Sequence, residues 1–216
     1  MEKVLLYIDG QNLFMGHAAM GIHRIDIPKL VSHLVGERHL LRAYYYSSLP
    51  SREDDPMGHD KKLKFFEYLN FQERMEVRAG SLKVERRLLP SDLLKELQSV
   101  GGHIDATPTL SVALTELENR IRTFLVEEAT ETKEKGVDIQ IAVDMLDHAH
   151  RELADVQILV SGDGDFIPLV AHLKSQGVNV EVAGPRGSVA SGLRSDADKF
   201  HSLNKRTMIS FAPQSS

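Results

Sequence analysis

Three short acidic segments, distant in the chain, hold the residues whose types and spacing could do chemistry. They are Tyr7-Ile8-Asp9-Gly10-Gln11-Asn12, Lys135-Gly136-Val137-Asp138 and Ser161-Gly162-Asp163-Gly164-Asp165-Phe166. If Asp9, Asp138 and Asp163 meet, their repulsion is severe, since two like charges at 4 Å cost about 4 kcal/mol at an effective dielectric near 20. A proton or a cation must then relieve it. Oxygen donors without Cys or His favour Mg2+ or Mn2+. Such an ion makes bound water more acidic and neutralises charge on a phosphodiester under attack. Asn12 is placed to hold a metal-bound water or a phosphate oxygen, and Asp165 stands two residues beyond Asp163.

Each segment also has a plainer reading. Asp-Gly after a strand is commonly a turn. Asp138 at a helix start favours the helix dipole, and Asp165 before Phe166 could cap a helix. Asp144, six residues past Asp138, falls on another helix face about 9 Å along the axis, so it is expected to support the site rather than join it, as is Ser161. Only the joint placement of the three carboxylates on one edge argues for chemistry.

That placement depends on the elements between the segments. Apolar runs predict strands at residues 4–8, 41–46, 75–78, 156–160 and 178–182, alternating with helices at 27–35, 60–70, 138–153 and 166–176. This alternation is the pattern of an α/β fold with a mostly parallel sheet. The first and fourth runs are almost wholly apolar, as central strands covered on both faces are. Asp26 and Pro28 read as the start of the helix at 27–35, and Gly177 as the stop of the last. Right-handed crossovers lead to the strand order 3-2-1-4-5. In such sheets the working crevice lies beyond the carboxyl ends, where the order reverses, so Asp9 and Asp163 emerge side by side there.

Residues 81–132 do not fit a minimal unit. Leu110, Leu114, Leu117, Ile121 and Leu125 repeat at helical spacing, so this stretch is expected to be a helical insertion in a single domain of residues 1–211. The insertion is expected to serve as extra core cover, as a partner or homo-oligomer surface, or as a flap that guides RNA. Residues 212–216 are expected to be a flexible tail.

The chain has 216 residues, a net charge of −5 and no cysteine. One globular domain of this size buries a real core, and neither a disulfide framework nor a Cys-based zinc site can form. No apolar run approaches the roughly 20 residues of a bilayer span, and Met1 to Val4 runs straight into a strand without a signal-peptide stretch. The expected setting is soluble and cytoplasmic, with no membrane partner. An acidic chain must bind RNA through local basic patches, for which Lys135, Lys133 and Arg78 are the candidates. The ten histidines show no ligand spacing, and His148 and His150 read as surface residues. Tyr44-Tyr45-Tyr46 reads as strand packing.

Ile8-Asp9-Gly10-Gln11-Asn12, Lys135-Gly136-Val137-Asp138 with Asp144, and Leu159 to Phe166 followed by Gly177-Val178 together resemble the opening, central and closing motifs of NYN domains, most nearly the LabA-like subgroup. The resemblance covers about residues 3–80 and 133–204. It implies the PIN-like three-layer fold, an RNA substrate and a carboxylate-bound divalent metal. It carries metal roles to Asp9, Asp138 and Asp163, and supporting roles to Asn12, Asp165 and Asp144. The expected function is therefore a metal-dependent ribonuclease that leaves a 5′-phosphate. The alternative is a weak or inactive RNA-binding regulatory module that keeps the acidic pocket. A haloacid-type phosphatase needs a second Asp at the position of Gln11, and a Toprim domain needs Glu in place of Asp9.

Overall fold

Strand β1 (Lys3–Asp9) is buried from its second residue to its last, which requires cover on both sides. Val4, Leu6 and Ile8 face one apolar core and Leu5 and Tyr7 the other, the period-2 alternation of a strand. The computed structural model describes residues 1–86 and 130–213, with side chains for 1–80 and 136–213. Two compact units divide the chain, Met1–Ser81 with Lys135–Ser216, and Leu82–Glu134.

In the first unit the elements after β1 are helix α1 (Gly10–Ala18), α2 (Ile27–Val35), β2 (His39–Leu49), α3 (Pro56–Asn70) and β3 (Met75–Arg86), which runs on into the second unit. Strand β4 (Thr130–Lys135) precedes α4 (Val137–His150), β5 (Val156–Val160), a single 3-10 turn at Gly164–Phe166, α5 (Ile167–Ser175), β6 (Asn179–Gly184), α6 (Ser191–Asp196), β7 (Lys199–Ser202) and α7 (Lys205–Ser210). The strand order is β4-β3-β2-β1-β5-β6-β7, and β3-β2-β1-β5-β6-β7 are parallel throughout. One core joins this sheet to residues of α1, α2, α3 and α7, and the other joins it to residues of α4, α5 and α6. The fold is thus a three-layer α/β fold with a central parallel sheet, consistent with a PIN-like one.

The five strands expected from sequence keep their expected order. The sheet also has β7 at one edge and β4 at the other. Strand β7 is four residues long with a half-exposed pattern, so it lacks the apolar run that marks a strand in sequence. Strands β3 and β4 extend into 81–132, where the leucine spacing predicts helix alone. Leu82-Lys83-Val84-Glu85 and Thr130-Glu131-Thr132-Lys133 alternate with period 2, a signal overridden by the stronger helical repeat beyond it. The helical repeat expected from Leu110 to Leu125, the oligomer contact placed in that stretch and residues 214–216 lie outside the described residues.

Local signals explain the helix starts. Asp26 accepts from Lys29 N–H at 3.1 Å ahead of Pro28 in the first turn of α2, and Asp55 does the same for Gly58 ahead of Pro56 in α3. On α3, Phe66 and Leu69 are buried, whereas Leu63 is exposed.

Candidate functional site

Asp9 ends β1 and caps α1, accepting the Asn12 N–H at 3.0 Å through Oδ1. The Asp-Gly pair is therefore a strand-to-helix junction, a helix that the apolar pattern of residues 10–18 did not announce. A Cβ on Gly10 would stand 2.5 Å from the Tyr45 ring, so only glycine lets α1 begin this close to β2.

The strand order reverses between β1 and β5, and both strands end at the same edge. Ser161, the first residue past β5, donates from Oγ to Asp9 Oδ2 at 2.8 Å. Its Oγ accepts in turn from Asp163 N–H at 3.2 Å. Asn12 Oδ1 accepts the Gly162 N–H at 2.7 Å. Asp163 Oδ1 accepts the Asp165 N–H at 2.9 Å and thereby caps the 3-10 turn. Asp9, Asn12, Ser161, Asp163 and Asp165 are thus joined by one hydrogen-bonded path. Asp9 and Ser161 are buried, Asn12 and Asp163 half-buried and Asp165 exposed.

The close approach of the two loops needs Gly162. A Cβ there would lie 2.6 Å from Ser188 O and 3.2 Å from Asn12 Oδ1. Gly162→Ala is expected to push Asn12 off its N–H partner and to cost about 1–3 kcal/mol, the range for overpacking. Urea denaturation of the purified variant measures it.

A second arrangement stands on the α4 side of β1 and β2. In register, Asp9 pairs with Tyr46 on β2 and Tyr46 with Arg78 on β3, so these residues form a row across three strands, about 10 Å from end to end at 4.7–4.9 Å per strand. Tyr46 Oη donates to Asp144 Oδ2 at 2.7 Å. Burial and then the Asp144 hydrogen bond push the Tyr46 hydroxyl far above its ordinary range, so it stays a donor. Beneath it Tyr7 Oη lies 2.9 Å from His148 Nδ1, and the His148 ring stacks on Tyr44 at 5.2 Å. His148 is therefore not a surface residue. It is buried, and burial lowers its pKa against the pull of Asp144 and Asp147. His150 is exposed, as expected. Tyr44 and Tyr46 face this core and Tyr45 the other, so the tyrosine run does pack the strand.

Arg78 is already engaged. It pairs with Glu76 at 2.8 Å and lies over the Tyr44 ring at 5.4 Å. The side chains of Lys133 and Lys135 are outside the described residues. Asp138 sits exposed in the first turn of α4. Among the described residues no three Asp, Glu or His side chains stand close enough to hold a metal ion. The hydrogen bonds explain part of this: Asp9, Asp163 and Asp144 are each held by a donor of their own. The donor set itself, carboxylates with an amide and a hydroxyl, is all oxygen and suits a hard divalent cation.

Tyr46 is the residue that sequence reasoning missed. Its spacing from Tyr44 shows that it shares a face, but only the β1–β2 register puts it beside Asp9. Tyr46→Phe is expected to keep the fold and, by freeing Asp144, to weaken metal affinity or turnover by about 10- to 100-fold if Asp144 supports the centre. Metal titration followed by calorimetry checks this, with melting temperature as the control.

The sequence matches the NYN domain family over residues 102–204, just under half of the chain. The matched stretch holds Asp138, Asp144, Ser161, Asp163 and Asp165, whereas Asp9 and Asn12 precede it. The match supports an NYN or PIN-like nuclease domain. A crystal structure of a protein of unknown function from Vibrio parahaemolyticus is similar over 94% of each chain, with a TM-score of 0.59 and 22% identity, a likeness of fold alone. No curated protein matches the sequence. No described helix is long and apolar enough to cross a membrane.

Proposed function

We propose, taking the NYN match as premise, that this chain is a metal-dependent ribonuclease of the LabA-like kind, cutting RNA at the Asp9–Asp163 edge. The observation that carries the reading is a buried carboxylate at the point where the strand order reverses, Asp9, bonded across to Ser161 of the next strand. Ligands in open α/β sheets gather at that point.

Mg2+ or Mn2+ held by Asp9, Asp163 and Asp138 would supply an activated water and neutralise charge on the phosphodiester. The protein's own groups have separable tasks. Ser161 Oγ–H and Asn12 N–H fix both oxygens of Asp9. Asn12 locks its carbonyl onto Gly162, leaving its amide N–H groups as donors for a phosphate oxygen. Asp165 flanks the edge. Tyr46 orients Asp144. Arg78 ends the row, and Lys133 and Lys135 lead in sequence toward Asp138; these three are the proposed contacts to RNA phosphates.

A second reading has one observation in its favour. No three metal-holding side chains gather among the described residues, as a regulatory RNA-binding module without turnover would allow. Incubating the purified chain with labelled single-stranded and structured RNA separates the two. Cleavage with Mn2+ that EDTA abolishes is the expected result. RNA binding without cleavage under Mg2+ and Mn2+ alike would establish the regulatory module instead.

A further inference from the structure

A cleft of about 420 Å³ opens beside Asp9 on the other face of the sheet, between α1, the α1–α2 loop and α3. Its volume falls within the roughly 300–1,000 Å³ of small-ligand sites. Gly10, the residue after Asp9, forms one end, and Phe14 and His17 continue the wall along α1, facing Tyr45 and Phe65. Phe65 packs edge-on against Tyr45 at 5.6 Å. Phe14 meets the His17 ring edge-on at 5.3 Å and remains 51% exposed.

Polar side chains in the lining, among them His17, His23 and Arg24, give the cleft a direction. His17 is buried at 5% exposure, and its Nδ1 lies 2.6 Å from Ile22 O. A carbonyl only accepts, so Nδ1 carries the proton, and in the neutral ring Nε2 is the acceptor. Arg24 stands exposed in the cleft wall and makes no ion pair or hydrogen bond among the described residues. The chain as a whole is acidic, with a net charge of −5, so an unpaired guanidinium beside an aromatic wall is a local departure in charge that matches an anion joined to a flat ring.

We infer that this cleft seats one nucleotide of the RNA next to the bond that is cut. The base lies against Phe14 and Phe65, a ring N–H or exocyclic amino group donates to His17 Nε2, and the phosphate meets Arg24. Aromatic side chains hold bases of single-stranded RNA in this manner, and Arg is suited to phosphate. The inference rests on the nuclease reading for its RNA, but it predicts binding that needs no metal and no catalysis.

The test uses the full chain in EDTA, titrated in a calorimeter with nucleoside 5′-monophosphates and with the matching nucleosides. Saturable binding of the monophosphates is expected. Phe14→Ala should weaken nucleotide and nucleoside alike by roughly tenfold, as loss of base stacking does. Arg24→Ala should weaken the nucleotide by a similar factor and leave the nucleoside unchanged. In a parallel cleavage assay the two cleft variants should raise KM for RNA. No saturable binding, or binding indifferent to both cleft variants, overturns the inference even if RNA is cut. Binding that follows the expected pattern in a chain that cuts no RNA upholds the cleft and sinks the nuclease reading alone. Binding of nucleosides as tight as that of nucleotides overturns the part given to Arg24.

Discussion

Asp9→Asn is expected to leave the fold standing and to reduce Mn2+-dependent RNA cleavage by at least about 10²-fold, the scale of losing one preorganised electrostatic group. Asn is the informative replacement. As an N-cap it is nearly the equal of Asp, so α1 keeps its start, and the carbonyl oxygen of the new amide still accepts from Asn12 N–H, as Oδ1 does at 3.0 Å now. What disappears is the negative charge and the second acceptor, which takes the Ser161 hydroxyl at 2.8 Å. Ser161 Oγ can turn its proton elsewhere, so the structural cost stays near that of one neutral hydrogen bond, about 1 kcal/mol. Asp163→Asn makes the same comparison across the edge, because its Oδ1 caps the 3-10 turn. Single-turnover cleavage of labelled RNA, with circular dichroism as the fold control, measures both. Turnover at the parental rate in either variant would remove that carboxylate from the mechanism.

Glu181→Ala is expected to cost about 3 kcal/mol, the low end for breaking a buried ion pair. Glu181 points from β6 into the interior at 5% exposure. Arg38 grips both its oxygens, at 2.9 and 3.1 Å, and His201 from β7 lies 2.6 Å away. Arg38 also donates to Leu34 O and Val35 O at the end of α2. One guanidinium therefore joins α2 to β6, and removing the carboxylate leaves it half-buried among carbonyls. The low end is appropriate because the Arg38 side chain keeps 18% of its exposure. Urea denaturation at neutral pH gives the value.

The same group sets an acid limit. Burial alone would raise the Glu181 pKa, but hydrogen bonds from Arg38 and His201 and their charges outweigh it and hold it below its ordinary value. With the folded pKa depressed, the stabilisation is fully present above the unfolded pKa near 4.5 and is lost as pH falls through the folded one. The gap in stability between the parent chain and Glu181→Gln should therefore narrow as the pH drops below about 4.5. A gap that widens on acidification would contradict the assignment.

Elements whose signal is local were legible in the sequence. Asp26 with Pro28 marks the start of α2, Gly177 follows the end of α5, and the apolar runs of β1 and β5 mark central strands before any contact is known. The parallel order of five strands followed from those runs and the handedness of crossovers. Short elements with one or two buried residues were not legible: α6 buries only Leu193 and α7 only Met208, too few to set a period. His148 continues the buried stripe of Val137, Ile141 and Met145 on α4, but its polar type masked that spacing, and its ring partners Tyr7 and Tyr44 come from two strands.

The sequence by itself determined which residue types are available, where the apolar strands and the longer helices lie, and that Asp9 ends one central strand while Asp163 follows another at the same edge. These are properties of spacing, and spacing is local. The tertiary structure alone decided which atoms meet. It set Ser161 between the two acidic loops, brought Tyr46 over to Asp144 through the β1–β2 register, buried Glu181 against Arg38 and left a cleft on the far side of Gly10. Each of these needs the exact lateral alignment of strands far apart in the chain, and a slip of one residue would send every one of those side chains to the opposite face.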